Sequence, residues 1–245
     1  MKIMELNEYK KLYEYEMSYW WFIGKRRITK HFLDHYARYY QRLRLLDIGC
    51  GTGANLNMLN EYGEAIGLDF SKESLKFCRQ RELTNLVLAS AEQMNFKDNS
   101  FDTVTALDLL EHIEDDRQVL SEIFRILKNQ GHLIITLPAN MLLWSQHDRV
   151  LHHRRRYKRS ELKRKVEEAG FTVEKITYFN TILFLPILLI RVIRRSFNLG
   201  GGSDVSYLPS FLNSALLSLI TFESLLIKKI NLPFGVSIVC VAYKG

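Results

Sequence analysis

The stretch Leu45-Leu46-Asp47-Ile48-Gly49-Cys50-Gly51-Thr52-Gly53-Ala54-Asn55-Leu56 decides the fold. Leu43, Leu45, Leu46 and Ile48 read as a short buried strand, and Ala54-Asn55-Leu56 opens a helical pattern. The three alternating glycines between them let the backbone turn sharply and approach a ligand closely. They also aim the first amides of the helix at a polar group. Strand, glycine turn and helix make the first unit of a doubly wound sheet, and its turn is where such sheets bind a nucleotide. The spacing narrows the ligand. A dinucleotide fingerprint is G-x-G-x-x-G, whereas here the position three beyond Gly53 is Leu56, so a pyrophosphate-binding turn fails at its last glycine.

Downstream, Glu64-Ala65-Ile66-Gly67-Leu68-Asp69 reads as a second strand closing in an acid 16 residues after Gly53. In nucleotide-binding sheets an acid at this distance accepts hydrogen bonds from ribose hydroxyls. A turn or cap role is the plainer alternative for Asp69. Ser71 is the expected N-cap of a helix running to Arg81, and the helix before it is expected to run to Tyr62, ended by Gly63. Asn85–Ala89 reads as a third strand and Phe101–Leu107 as a fourth that leads into Asp108-Leu109-Leu110-Glu111-His112. A core-facing stripe at Val119, Leu120, Ile123, Phe124, Ile126 and Leu127 predicts a helix from Asp115 to Lys128, with Gly131–Pro138 as the fifth strand. Ser160 is expected to cap a helix that Gly170 stops, followed by a sixth strand at Phe171–Tyr178 and a last one at Val236–Tyr243. The alternation predicts an α/β, Rossmann-like, seven-stranded and mostly parallel sheet with helices on both faces.

The 245 residues suit one domain with additions. The organisation read from the pattern is an N-terminal helical lid (1–42), a core (43–180), an apolar helical insertion (181–232) and the last strand (233–245). In the lid, Tyr19-Trp20-Trp21-Phe22 precedes Arg26-Arg27. The rings either pack onto the sheet or close over the cleft, where Trp21 and the arginines would meet an anionic substrate. The net charge of +7 favours anionic partners, although a solvated basic surface is the commoner explanation. No RNA-binding module is recognisable, which sets nucleic acid aside. Cys50, Cys78 and Cys240 are odd in number and widely spaced with no metal-ligand spacing, and the first residues lack a signal-peptide profile; the simplest expectation is a reduced cytoplasmic protein without a metal.

Two features near the C-terminus exceed the minimal fold. The loop 139–157 is long and ends in His152-His153-Arg154-Arg155-Arg156-Tyr157. That basic run reads either as a solvated face or as a site for a phosphate or carboxylate, since arginine forks match such groups. The insertion holds Ile182–Arg195, a Gly200-Gly201-Gly202 linker and a second apolar helix near Leu212–Ile230. Arg191, Arg194 and Arg195 fall on one helical face. The insertion is therefore a cap over the cleft, a homodimer interface, or a peripheral contact with the inner face of a membrane through anionic headgroups. No run reaches the roughly 18 apolar residues of a spanning helix.

The string D-I-G-C-G-T-G at Asp47–Gly53 resembles motif I of the class I S-adenosylmethionine-dependent methyltransferases, and residues 40–140 as a whole resemble their type 11 domain family. F-D-x-V at Phe101–Val104 and E-H at Glu111–His112 fit the same pattern. The resemblance implies S-adenosyl-L-methionine as cofactor, held by Asp47, Gly49, Cys50, Gly51, Gly53, Asp69, Phe70, Ala91, Glu92, Asp108 and Leu109. The family's adenine-side acid is replaced by Ser90, which moves that expectation to the Ala91 amide and Glu92. W-W-F at Trp20–Phe22, H-R-R-R-Y at His153–Tyr157 and P-F-G-V-S at Pro233–Ser237 look like one bacterial or archaeal subfamily associated with polyprenol- or glycan-linked biosynthesis. The implied activity is methyl transfer to an amphipathic or anionic small molecule such as a lipid-linked glycan; a cofactor-binding sensor or assembly subunit is the alternative. Alignment carries most of such a reaction. If the acceptor needs a base, His112, His152 and His153 are the candidates, His147 is a further one, and Glu111 can orient one of them. Trp21, Arg154, Arg155, Arg156 and Tyr157 are the candidate acceptor-binding residues.

Overall fold

The computed structural model describes residues 4–37, 42–197, 204–205 and 207–245. Its centre is a sheet in the order β3-β2-β1-β4-β5-β7-β6, built from β1 (Leu43–Ile48), β2 (Gly63–Asp69), β3 (Leu86–Leu88), β4 (Phe101–Leu107), β5 (Leu127–Pro138), β6 (Phe171–Phe179) and β7 (Ser237–Lys244). Strand β1 pairs in parallel with both β2 and β4, while β7 runs antiparallel between β5 and β6. The α/β, mostly parallel architecture is the expected one. The strand order reverses at β1, so the carboxyl ends of β1 and β4 open a crevice immediately after Ile48 and Leu107.

Side chains alternate across the central strands and feed two cores. One face buries Leu46, Ile48, Val104, Leu133 and Ile238 under α5 (Asp116–Ile126) and α7 (Arg159–Glu168). The other buries Leu45, Ile134, Val239 and Val241 under α2 (Trp20–Ala37) and α3 (Ala54–Leu59). Both faces of a parallel sheet must be covered, which accounts for the near-continuous apolar runs of β1, β5 and β7.

Several boundaries differ from the expected ones. Helix α3 stops at Leu59, and Gly63 opens β2 instead of ending the helix. Helix α5 ends at Ile126, because Leu127 already pairs with Phe101 at the foot of β4. Helix α7 is entered through Lys158, with no side-chain cap, so Ser160 lies inside the first turn. Ser71 does cap α4 (Lys72–Gln80), accepting from Ser74 N at 3.3 Å. The long loop is not structureless. It holds a short 3₁₀ turn at Met141–Leu143 and the five-residue α6 (Gln146–Val150), and an Ala139–Tyr157 bridge ties its ends.

The insertion folds into α8 (Phe184–Ser196) and α9 (Ser210–Leu226), while the Gly200–Gly202 linker lies outside the described residues. Helix α9 packs on α2, and Gly24 is what lets the two approach: a β-carbon there would lie 2.5 Å from Ile220. Asn213 accepts from Trp20 N at 2.9 Å and Arg27 donates to Thr221 at 2.6 Å along the same seam. The arginine face of α8 turns toward protein. Arg191 donates to the Leu143 carbonyl and pairs with Asp204 at 2.7 Å, and Arg195 donates to the Trp144 carbonyl at 2.8 Å. Arg191 and Arg195 are thereby engaged by protein, whereas the Arg194 side chain stays 54% exposed. Among the described residues no helix is long and apolar enough to cross a membrane.

Candidate cofactor and acceptor site

The glycine turn sits where β1 releases the chain. Gly49, Gly51 and Gly53 have φ of 71°, 56° and 91°, the left-handed region in which a side chain is strained. Gly49 N and Cys50 N both donate to Leu68 O, at 2.7 and 3.1 Å, and hang the turn from β2. Asp69, at the end of β2, accepts from Gly51 N at 3.0 Å and from Ser71 N at 2.9 Å. A carboxylate has about four acceptor positions, so two remain for a ligand's hydroxyls while the backbone fixes the group. Burial nonetheless pushes the Asp69 carboxyl above its usual range.

Above this turn lies a cavity of about 540 Å³. Its lower wall contains Gly49, Cys50, Gly51, Asp69, Phe70, Asp108 and Leu109, seven of the expected cofactor residues. Asp47, Gly53, Ala91 and Glu92 do not line it. Asp47 lies beneath the turn, 1% exposed, accepting from Thr105 at 2.7 Å; its second oxygen has no partner among the described residues, and burial raises its pKa to about 7. Gly53 caps α3 with Leu83 packed where its side chain would be, and Ala91 is in the core. Glu92 folds back toward Ser90.

The N-terminal segment closes one side. Glu16, between α1 (Leu6–Tyr15) and α2, accepts from Thr52 in the glycine turn and pairs with Arg81 at 3.2 Å. Tyr19, Trp20, Trp21 and Phe22 line the cavity, and Lys25 on the next turn of α2 pairs with Asp108. Lys25, not the expected Arg26 and Arg27, is thus the charged contribution of the lid. Arg26 donates to the Glu16 carbonyl and Arg27 to Thr221.

The upper wall brings together Glu111, His112, His147, His153, Arg156, Arg191 and Arg194. Of the three candidate bases, His112 and His153 face the cavity, whereas His152 does not line it and takes a left-handed φ of 57°. The basic run is a correction to the expectation. Arg154 pairs with Glu114 at 3.1 Å, Arg155 with Asp116 at 3.3 Å, and buried Tyr157 donates to Asp116 at 2.6 Å, so none of these three reaches the cavity. Arg156 does, but its fork is held by Asp148, Nε to Oδ1 at 2.7 Å and Nη2 to Oδ2 at 3.0 Å. Asp148 also accepts from Ser145 N at 2.8 Å and meets His153 Nδ1 at 2.9 Å. Burial works to raise the Asp148 carboxyl, but the contacts with His153 and Arg156 hold it well below the carboxylate range. Burial lowers His112 to about 3 and His147 to about 4, so both imidazoles are neutral at pH 7, and His147 Nδ1 accepts from Asp204 N at 3.0 Å. Glu111 is fully buried and shifted up by that burial. Lys25, Glu16, Asp148 and Arg191 are the site residues the sequence reading missed. Only the Ser145-x-x-Asp148 capping box left a local trace.

A sheet of this order, with a glycine turn after β1 and acids at the ends of β2 and β4, is the fold of the class I S-adenosylmethionine-dependent methyltransferases. Comparison with known proteins agrees: residues 46–135 match the methyltransferase domain family. A protein of unassigned function from Methanocaldococcus jannaschii is 34% identical over 58% of this chain and 59% of its own length. A probable S-adenosylmethionine-dependent methyltransferase of Mycolicibacterium smegmatis is 29% identical over 55% of this chain and 57% of its own. A solved S-adenosylmethionine-dependent methyltransferase from Archaeoglobus fulgidus superposes with a TM-score of 0.56 at 23% identity, covering 89% of this chain and 94% of that one. Residues 46–135 are thus similar to a methyltransferase domain, and the named relatives are S-adenosylmethionine-dependent. The matches span about a third to three fifths of the length of the curated relatives.

The residues present fit that cofactor. A β-carbon on Gly51 would meet nothing nearer than 4.0 Å, so the turn faces open space at the position a ligand needs, and Asp69 waits beside it with acceptor capacity to spare.

Proposed function

We propose that this chain transfers a methyl group from S-adenosylmethionine to an amphipathic or anionic small molecule with a lipid portion, such as a lipid-linked glycan. One observation carries the reading: the cavity that starts at the glycine turn continues, without a partition, to a wall of apolar rings and helices with cations at its rim. Trp20, Trp21, Ile187, Ile190 and Leu216 supply the apolar surface, and Arg191 and Arg194 supply charge.

When bound, the cofactor supplies a methyl group on a sulfonium, already a good leaving group. The chain's own residues hold and align. Gly51 and Asp69 fix one end of the site, and the Lys25–Asp108 pair closes the far side. His112 and His153 face the acceptor space, where either ring can take a proton from an acceptor hydroxyl or amine. The lid rings exclude water.

Surface chemistry supports the lipid portion and a peripheral membrane contact. Leu185 and Leu189 of α8 and Phe211, Phe222 and Leu225 of α9 are between 54% and 75% exposed, and clusters of exposed large apolar side chains mark interaction surfaces.

The test is transfer of labelled methyl from the cofactor into cell extract split into lipid and aqueous fractions. Label in the lipid fraction is the expected outcome, together with co-sedimentation on anionic vesicles that a Phe211→Asp, Phe222→Asp variant loses. Label only in the aqueous fraction removes the lipid part. Tight cofactor binding with no labelled product at all favours a binding subunit. A stable dimer that hides α8 and α9, with no vesicle binding, makes the exposed faces an interface between two copies.

A further inference from the structure

Glu111, His112 and His153 each offer one ligand atom, and these atoms lie within 4.8 Å of one another on the wall of the cavity. We infer that they bind a single divalent transition-metal cation at the acceptor end of the site. One carboxylate and two imidazoles are the donor set that zinc, manganese and ferrous iron share.

Three independent features point to a cation. The first is Glu111: it is fully buried, and neither carboxylate oxygen has a hydrogen-bond partner among the described residues. Buried polar groups are paired as a rule, and an orphaned carboxylate is among the most costly exceptions. The cations nearest to it are already engaged, Lys25 by Asp108 and Arg156 by Asp148.

The second feature is the outer support of His153. A metal-ligating imidazole almost always donates its other N–H to a carboxylate or a backbone carbonyl. His153 Nδ1 lies 2.9 Å from Asp148 Oδ1, which puts the proton on Nδ1 and the lone pair on Nε2. His112 packs edge-on against that ring, centroids 4.7 Å apart. Asp148 is held in place by Ser145 and Arg156, so it is a rigid orienting group.

The third feature is the coordination number. Three protein ligands facing a cavity leave open positions for an acceptor oxygen or water, the pattern of a catalytic site rather than a closed structural one. Metal–ligand bonds of about 2.0–2.2 Å require donors about 3–3.5 Å apart, so the three side chains draw together when the ion binds.

Metal binding stands apart from the methyl-transfer reading; only its use does not. If that reading holds, the ion orients an acceptor oxygen and acidifies its hydroxyl.

The test uses the full chain, free of any histidine tag, treated with chelator and titrated with Co²⁺, followed by visible absorption and calorimetry. One ion per chain is expected, with d–d bands that Zn²⁺ abolishes. Glu111→Gln and His153→Gln should each weaken Co²⁺ at least about tenfold, and Asp148→Asn, which touches no ion, should weaken it about 10–100-fold. Circular dichroism checks each fold, and if one ligand variant unfolds, the other and His112→Gln decide. No saturable Co²⁺, Zn²⁺ or Mn²⁺ binding overturns the inference, as does binding that the ligand variants leave unchanged. A parallel titration with S-adenosylmethionine separates the two readings: metal without cofactor refutes the transferase, and cofactor without metal refutes the metal site.

Discussion

Asp148→Asn tests whether the acceptor wall is built around one carboxylate. In the structure Asp148 is fully buried and accepts from Ser145 N, from His153 and from both arms of the Arg156 fork, whose side chain is only 3% exposed. Asparagine keeps the shape and one acceptor oxygen, but sets an amide N–H₂ against a donor. It also leaves the Arg156 charge in the interior without its ion-pair partner. Breaking a buried pair from one side costs about 3–5 kcal/mol. For a chain of this length each kcal/mol moves the melting temperature by about 2–4 °C, so a fall of about 6–20 °C is expected at pH 7. The companion variant Asp148→Leu, Arg156→Met removes both charges and should lose far less than the sum of its parts, with a coupling energy of at least about 2 kcal/mol. The carboxyl is depressed in the fold, so its contribution is whole above the unfolded value near 3.9 and disappears as pH falls through the lower folded value. Wild type and variant should therefore converge only below about pH 4. Urea or thermal unfolding across pH measures all of this. A loss below about 1 kcal/mol for Asp148→Asn, or strictly additive effects in the double variant, would refute the account of the wall.

Three further outcomes are expected. Asp69→Ala should weaken S-adenosylmethionine by about 1–3 kcal/mol in calorimetry, the usual cost of lost charged hydrogen bonds, with Asp69→Asn intermediate; unchanged affinity takes Asp69 out of the site. Gly51→Val forces a branched side chain to φ 56° and fills the open space above the turn, so cofactor binding should vanish while the melting temperature falls only a few degrees, by about 1–2 kcal/mol of backbone strain. In the metal-free protein, His112 and His147 stay neutral in the fold while the unfolded chain protonates them below about 6.5, so stability should be full above that pH and drop by about 2–5 kcal/mol by pH 4.5. A flat melting temperature between pH 7 and pH 5 contradicts the burial of both rings.

The cofactor end was legible in the sequence because its determinants are local. Gly49, Gly51, Asp69 and Asp108 each stand at the end of a strand whose apolar alternation announces it, and the order of strands then follows from the handedness of crossovers. The acceptor end was not, because its partners are far apart in the chain. Arg154, Arg155 and Arg156 are the same residue in the sequence. The fold sorts them by meeting Glu114, Asp116 and Asp148, and only the third turns toward the cavity. Likewise the basic face of α8 reads as a headgroup binder until the carbonyls of Leu143 and Trp144 are seen to occupy it. Periodicity tells which residues share a face. It does not tell what the face meets.

The two additions to the minimal fold act on one another through α2. Its inner edge carries Trp20, Trp21 and Lys25 into the cavity, where Lys25 fixes Asp108 at the cofactor end. Its outer edge, at Gly24 and Arg27, receives α9 at a distance that only a glycine permits. Helix α9 in turn holds the start of the insertion, since buried Glu223 accepts from Thr181 N at 2.7 Å just before α8. Whatever presses on the exposed faces of α8 and α9 therefore bears on the helix that closes the donor side. If the insertion recognises an acceptor or surface and the glycine turn a cofactor, the two share α2 as a common wall, and binding at one should tighten binding at the other in calorimetry.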